Sequence, residues 1–333
     1  MEFNVERNYI GNMAQLFDIK QYKLTGGGKA EGTSVIEIWN GDALTVSILP
    51  DRGMDIYSVR YNNKEMSYLA PSGIVHPSFY NDVGPKWLRT FQGGFLATCG
   101  VENIGGADDY RGEGLHGRHN HTPAENVCVS IDIQDGEPVA TISGIVRHAL
   151  IFGVRYFVKR TFTFKRNQNS FTFRDEITNE AFSEKPLYLL YHFNLGYPLI
   201  SDTTKLLIDS VRILPQNDFA APMLADWNKM TPPEPGYRQR NYYHFLEADS
   251  DGWRSYGVEN PAINTRMTVR YLSPVMDKIF QWKNLASGDY IMGLEPASMI
   301  MAGTPDPEAG VPKMLGAGET LTNEFVFNFE NMK

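Results

Sequence analysis

The chain has 333 residues, of which 42% are hydrophobic and 21% charged, a balance that supports a large hydrophobic core. Its 31 Lys and Arg against 39 Asp and Glu give a net charge of −8 without any basic run, which argues against nucleic acid and anionic membranes as partners. No apolar run approaches the roughly 20 residues of a membrane-spanning helix, and the N-terminus lacks a signal sequence, so we expect a cytoplasmic protein.

Segments with alternating apolar residues begin in the first quarter of the chain. TSVIEIW (33–39) and ALTVSILP (43–50) flank Asn40-Gly41, a strong signal for a β-hairpin. Further along, VRYFVKRTFTFKR turns at NQNS into SFTFRDEITNE. One face of the first of these strands carries Val154, Tyr156, Val158, Phe162 and Phe164, and the matching face of the second carries Phe171, Phe173 and Ile177.

The same alternation continues to the C-terminus, and no comparable segment shows helical periodicity. More than ten strands in one sheet would have to curl or split, so the sequence predicts an all-β fold, a large antiparallel β-sandwich. We expect one domain over residues 1–333. Residues 71–125 and 215–262 interrupt the pattern, and loops of this length are typical of binding loops or lids.

The stretch GLHGRHNHTPA (114–124) contains three of the seven histidines, His116, His119 and His121. On a strand, His119 and His121 would share a face and, with Glu125, could hold a metal ion. Pro123 interrupts such a strand, and the alternative is that loop histidines bond a substrate, the backbone or water. The two cysteines, Cys99 and Cys128, lie among apolar residues, which indicates buried, reduced thiols.

Two ionisable residues lie in aromatic, strand-like surroundings, His192 in LLYHFNLGYP and Glu295 in DYIMGLEPAS. An ionisable group at such a position is either paired structurally or has a pKa tuned for proton transfer. The sequence alone leaves both alternatives open.

Five blocks along the chain resemble the aldose 1-epimerase superfamily, which has the galactose mutarotase-like fold. They are PDRGMDI (50–56), GGFLATCGVENIGG (93–106), GLHGR (114–118), YHFNLGYPL (191–199) and IFQWKNLASGDYIMGLEPAS (279–298). The resemblance is closest to a bacterial branch that carries RG, TCG, GLHGR and YHFNxGYP blocks.

The resemblance implies a large antiparallel β-sandwich and an enzyme that interconverts the α and β anomers of an aldose, a small sugar or sugar derivative. A base removes the proton of the anomeric hydroxyl while an acid protonates the ring oxygen, which requires neither a metal nor an organic cofactor. By position in the family's blocks, Glu295 corresponds to the base and His192 to the acid. His116 corresponds to a histidine at the sugar site.

The chain also departs from the family pattern. His192 lies three residues before Leu195 where the family spacing is five, and the GRxANRI block that supplies a substrate-binding arginine is absent. Arg52 and Arg118 are candidates to replace that arginine, because a guanidinium suits sugar hydroxyls and anions alike. The remaining candidates for the sugar site are Asn103, His121 and Gln281, with Trp87 and Trp282 as apolar platforms unless they are simply packed in the core.

Two alternative functions follow from the same residues. One is a metal-dependent sugar isomerase or lyase that uses His119, His121 and Glu125. The other is a non-catalytic carbohydrate-binding protein, because a fold does not determine a function.

Overall fold

A computed structural model describes residues 3–107, 114–301 and 311–332. Within these residues, one short α-helix, α1 (Phe3–Glu6), precedes the strands, and the other helical segments are 3₁₀ turns. No helix among them has the length and apolar character needed to cross a membrane. The 3₁₀ turns are Arg7–Tyr9, Met13–Gln15, Gly28–Ala30, Pro77–Phe79, Gly84–Arg89, His119–His121, Ala221–Asp226 and Pro261–Ile263.

The strands follow in chain order: β1 (Asp18–Lys23), β2 (Ser34–Trp39), β3 (Leu44–Leu49), β4 (Asp55–Tyr61), β5 (Lys64–Glu65), β6 (Leu96–Val101), β7 (Ala124–Gln134), β8 (Glu137–Ala149), β9 (Arg155–Lys165), β10 (Ser170–Asn179), β11 (Lys185–Leu195), β12 (Lys205–Leu207), β13 (Arg212–Pro215), β14 (Arg240–Phe245), β15 (Trp253–Asn260), β16 (Thr265–Leu272), β17 (Lys278–Leu285), β18 (Tyr290–Ala297), β19 (Lys313–Leu315) and β20 (Thr320–Asn331). In the described residues they form three antiparallel sheets. The predicted all-β antiparallel sandwich is therefore confirmed.

The N-terminal sheet has the order β1-β2-β3-β4-β5. Its central hairpin is the one that the sequence predicts: β2 ends at Trp39 and β3 begins at Leu44. Gly41 in the connecting turn has φ +85°, a conformation that costs a residue with a Cβ atom more than glycine. The inward side chains of this hairpin, including Ile38 and Val46, join the main hydrophobic core.

The two larger sheets pack face to face. One has the order β12-β15-β16-β20-β10-β9-β8-β7, and the other β13-β14-β17-β18-β11-β19 with β6 paired to β11. Aromatic rings fill the space between them: Tyr191 of β11 lies 4.7 Å from Phe325 of β20, and Phe193 lies 5.1 Å from Phe327, centroid to centroid. Edge-to-face contacts of this kind add to the stabilisation from apolar burial.

The predicted inward face of β9 and β10 also carries two charges that the apolar pattern did not reveal. Arg160 and Asp175 are directly opposite each other and fully buried. The five N–H donors of Arg160 bind both oxygens of Asp175, an oxygen of Asp55, the hydroxyl of Thr98 and the carbonyl oxygen of Gly53, at 2.6–3.0 Å. A buried guanidinium can be retained in a core only with this degree of hydrogen bonding.

Two expectations about the chain are wrong. Both segments expected to be loops contain strands: β6 lies in 71–125, and β14 and β15 lie in 215–262. Both faces of β6 and of β14 are buried, so no alternation marks these strands in the sequence. Cys99 is buried as predicted, but Cys128 lies exposed on β7, the edge strand of the eight-stranded sheet. Cys128 has apolar neighbours in the sequence, but these do not predict burial for a residue on an edge strand.

Candidate functional site

Three adjacent strands of the seven-stranded sheet bring the site together. The register between β11 and β18 pairs Leu190 with Ala297. Two residues further along each strand, His192 therefore lies opposite Glu295 on the same face. On the other side of β18, Phe280 of β17 pairs with Glu295. The opposite face of these strands packs into the main hydrophobic core. A site can therefore form only on the face that carries His192 and Glu295.

His192 and Glu295 form a buried pair. Nδ1 of His192 lies 3.3 Å from Oε1 of Glu295, and the exposed fractions of the two side chains are 5% and 0%. Neither carboxyl oxygen accepts a hydrogen bond from any described residue. Burial raises the pKa of Glu295 well above its usual value and lowers the pKa of His192 well below its usual value. Both shifts favour the uncharged form of the pair, in which the proton lies on the carboxyl group.

His116 lies beside this pair, as the resemblance implies. Its ring meets that of His192 edge-on, with 5.6 Å between the centroids and 84° between the planes. Nδ1 donates to the carbonyl oxygen of Ile104 at 2.7 Å, which leaves Nε2 of the neutral ring as an acceptor. Burial lowers the pKa of His116 to about 4, so the ring is neutral near pH 7. The predicted trio of Glu295, His192 and His116 thus converges.

Aromatic side chains surround the trio. Trp282 of β17 lies edge-on to His192 with 5.3 Å between the centroids, and Phe91 lies 5.8 Å from the same ring. Trp87 stacks on Phe91 at 4.6 Å and meets His116 edge-on at 4.8 Å. These apolar walls lower the local dielectric and offer surfaces to the C–H face of a sugar. The two tryptophans were candidates from the sequence, whereas nothing in the sequence distinguished Phe91.

Arg52 does not offer a guanidinium to a ligand. The side chain is fully buried in the turn between β3 and β4. All five of its N–H donors are used inside the protein, by the carbonyl oxygens of three residues, by a glutamine and by a histidine, at 2.5–3.1 Å. These acceptors are Val75, Thr90, Asn120, Gln92 and His121. Arg52 of the PDRGMDI block therefore has a structural role.

Asn103 and Gln281 also have internal partners. The amide of Asn103 donates to the carbonyl oxygens of Gly106 and Gly114, both at 2.8 Å, and so holds these two glycines together. Gln281 neighbours Phe280 on β17, and strand alternation turns it to the opposite face, where it accepts from His244 and donates to the Trp227 carbonyl oxygen at 3.0 Å each. Neither side chain is presented to the trio.

His121 and Arg118 each have a charged or aromatic partner of their own. Nε2 of His121 accepts from Arg52 at 3.0 Å, because a guanidinium can only donate, and its ring stacks on Tyr80 at 4.2 Å. Burial, then Arg52, lowers the pKa of His121 well below its usual value. Arg118 forms a half-exposed ion pair with Asp82, at 3.2 Å. Of the predicted replacements for the missing arginine, only Arg118 retains access to solvent.

The three residues of the metal alternative are held apart by different partners. His119 bonds His148, with 2.9 Å between Nδ1 and Nε2, whereas His121 bonds Arg52. Glu125 forms a bidentate ion pair with Arg147 on the surface, with N–O distances of 2.8 and 2.9 Å. His119 to His121 is a 3₁₀ turn, in which residues two apart do not share a side. No cluster of three or more metal-binding side chains occurs in the described residues.

Chemically, the site combines a proton donor and a proton acceptor with an acceptor nitrogen in an apolar enclosure. The oxygens of Glu295, which accept no hydrogen bond from the described residues, and the acceptor Nε2 of His116 are suited to hydroxyl groups. A polar ligand with several hydroxyls would satisfy them.

Solved structures with the same fold span nearly the whole chain. A candidate aldose 1-epimerase from Klebsiella pneumoniae subsp. pneumoniae superposes with a TM-score of 0.86 at 24% identity, over 95% of this chain and 84% of that one. A galactose mutarotase-like protein from Clostridium acetobutylicum gives 0.65 at 14%, over 95% and 99%. A candidate aldose 1-epimerase from Escherichia coli K12 gives 0.58 at 13%, over 95% and 100%. At these identities the likeness establishes the fold.

Comparison of sequences adds a family. No curated protein matches the chain. The model of one protein family matches residues 30–327, which include all the strands from β2 to β19 and the three converging residues. The chain belongs to this family, described as a domain of unknown function, DUF4432, and it has the galactose mutarotase-like fold.

Proposed function

We propose that the protein is an aldose 1-epimerase that interconverts the anomers of a sugar or sugar derivative. The observation that carries the proposal is the buried Glu295–His192 pair, 3.3 Å apart and facing His116 between aromatic walls. The names of the structural neighbours from Klebsiella pneumoniae and Escherichia coli are consistent with this chemistry.

Ring opening requires one proton to be removed and another to be given at the same time. The Glu295 carboxylate takes the proton of the anomeric hydroxyl, the bond between C1 and the ring oxygen breaks, and protonated His192 donates to that oxygen. The products are an open-chain aldehyde, a neutral carboxyl group and a neutral imidazole. Rotation about the bond between C1 and C2, followed by the reverse transfers, closes the ring as the other anomer.

The site is built for both protonation states of the pair. Burial favours the neutral carboxyl and imidazole, which is the state that ring closure uses. Ring opening uses the carboxylate and imidazolium, which differ only by the transfer of one proton across the 3.3 Å gap. Sugar hydroxyls that donate to the unpartnered oxygens of Glu295 stabilise the carboxylate in this state.

The remaining residues bind and orient the sugar. We propose that Nε2 of His116 accepts from a hydroxyl and that Trp282 and Phe91 pack on C–H faces. Arg118 is the remaining candidate to contact an outer hydroxyl or an acidic group of the substrate. The proposed chemistry assigns no step to a metal or an organic cofactor.

Glu295→Gln tests the assignment, because an amide fills the same space and cannot act as a base. We expect anomer exchange, measured by two-dimensional NMR exchange spectroscopy on a set of aldoses, to fall to the uncatalysed rate while sugar binding persists. Glu176→Gln is the matched control, since Glu176 forms a surface ion pair with Lys159 at 3.5 Å. Unchanged exchange in the Glu295 variant contradicts the proposal. Sugar binding without exchange in the unaltered protein favours the non-catalytic alternative.

A further inference from the structure

Gly293 lies in β18 two residues before Glu295, directly opposite Trp282 of β17 and Asn194 of β11. Its backbone φ is outside the left-handed region that favours glycine. Glycine in a strand interior weakens the strand, because it has no side chain to pack. Gly293 is therefore explained by what occupies the space that a side chain would fill.

The carboxyl group of Glu295 occupies that space. A Cβ atom on residue 293 would collide with Oε1 of Glu295, and it would lie 3.2 Å from Cδ of the same side chain and 2.9 Å from Cβ of Trp282. The carboxyl group thus folds back along its own strand into a slot whose floor is Gly293. Trp282 forms one wall of the slot, and His192 meets the carboxyl group at 3.3 Å.

Shape is what holds the carboxyl group in this slot. Both of its oxygens are buried, and neither accepts a hydrogen bond from the described residues. Most buried carboxylates are oriented by several donors, which would draw the group back after a small displacement. Apart from its contact with His192, Glu295 has no such donors among the described residues, so a side chain on the floor of the slot displaces the carboxyl group against little opposition.

We propose that Gly293 is a positioning residue: by lacking a side chain, it creates the slot that holds the Glu295 carboxyl group against His192. This inference rests on the proposed function for its kinetic consequence, since a base displaced by about 1 Å loses on the order of 100-fold in rate. Of the proposed sugar-binding side chains, His116 and Phe91 are on other segments and only Trp282 borders the added Cβ atom, at 2.9 Å, so substrate affinity changes much less than the rate.

Gly293→Ala, Glu295→Asp and the double variant test the proposal as a cycle. We expect each single variant to lower kcat about 100-fold with KM changed less than about threefold, because each moves the carboxyl group. The shorter aspartate clears the added methyl group, so the double variant should lose about 100-fold rather than the roughly 10,000-fold of independent effects. Full kcat in Gly293→Ala, or additive losses in the double variant, overturns the proposal.

Gly144→Ala separates positioning from general crowding. Gly144 lies in β8 of the eight-stranded sheet, and a Cβ atom there would collide with the sulfur of Met54. We expect this variant to lower the melting temperature and leave kcat unchanged. A kcat loss equal to that of Gly293→Ala assigns the effect to crowding and overturns the proposal.

A spectroscopic measurement distinguishes failure of this inference from failure of the proposed function. The ¹⁵N NMR signal of His192 Nδ1 reports the carboxyl group 3.3 Å away, whether or not the protein turns over a sugar. We expect Gly293→Ala to move this signal to the position it has in Glu295→Gln. If the unaltered protein shows no anomer exchange, the function fails while the signal still decides the role of Gly293; an unmoved signal overturns that role.

Discussion

Replacing Arg52 by lysine distinguishes a structural guanidinium from a substrate-binding one. Lysine keeps the positive charge but has three N–H donors where Arg52 uses five. At least two buried acceptors therefore lose their partner. At about 1–3 kcal/mol for each unsatisfied acceptor, the free energy of unfolding should fall by about 2–6 kcal/mol.

This loss is measurable as a melting temperature. An unfolding entropy of about 2.1 cal/mol/K per residue gives roughly 0.7 kcal/mol/K for a chain of this length, so the melting temperature should fall by roughly 3–9 °C. Differential scanning calorimetry measures the shift, and anomer-exchange kinetics measure KM, which should not change. Arg270→Lys is the control, because its ion pair with Asp249 is exposed on both sides, at 51% and 48%, and contributes at most about 1 kcal/mol. An Arg52→Lys variant that has the same melting temperature as the unaltered protein but a raised KM would refute the structural role.

Two further predictions concern the buried histidines His148, His119 and His121. Burial lowers the pKa of His148 from 6.5 to about 4, so the unfolded chain takes up a proton that the folded chain does not as the pH falls below 6.5; stability is present at pH 7 and is lost on acidification. At 1.36 kcal/mol per pKa unit, the free energy of unfolding of His148→Gln should fall by about 2 kcal/mol less between pH 7 and pH 5 than that of the unaltered protein. Urea unfolding measures both values, and equal decreases would contradict the burial effect. Dialysis against EDTA should leave anomer exchange unchanged, because Glu125, His119 and His121 have separate partners; a rate that falls and is restored by Zn²⁺ or Mn²⁺ would revive the metal alternative.

The strands were predictable from the sequence because one of their faces is apolar. Alternation identified the β2–β3 and β9–β10 hairpins, since a half-buried strand repeats every two residues. The same rule failed at β14, because both faces of that strand are buried. It also did not predict that Arg160, between Val158 and Phe162, is buried. Charges of opposite sign at paired inward positions, Arg160 and Asp175, were the available signal.

The site residues differ in how far residue type could predict them. Glu295 and His192 were found through family blocks, and the register of β11 and β18 explains why those blocks belong together. Arg52 and Gln281 were selected because their side chains suit a sugar, but residue type does not specify which acceptors lie around a buried turn or which face a strand residue occupies. Those depend on contacts between segments far apart in the chain.

The charged cluster around Arg160 has a consequence for how the sequence can vary. Asp55 comes from the five-stranded sheet, Arg160 and Asp175 from the eight-stranded sheet, and Tyr191, which donates to Asp175 at 2.8 Å, from the strand that carries His192. Replacing Arg160 alone leaves two carboxyl groups buried without their cation, at a cost of several kcal/mol, and replacing any other member leaves a buried donor or acceptor without its partner, at about 1–3 kcal/mol. Substitutions at these positions should therefore be inherited together, and a library that randomises them one at a time will return mainly the starting residues.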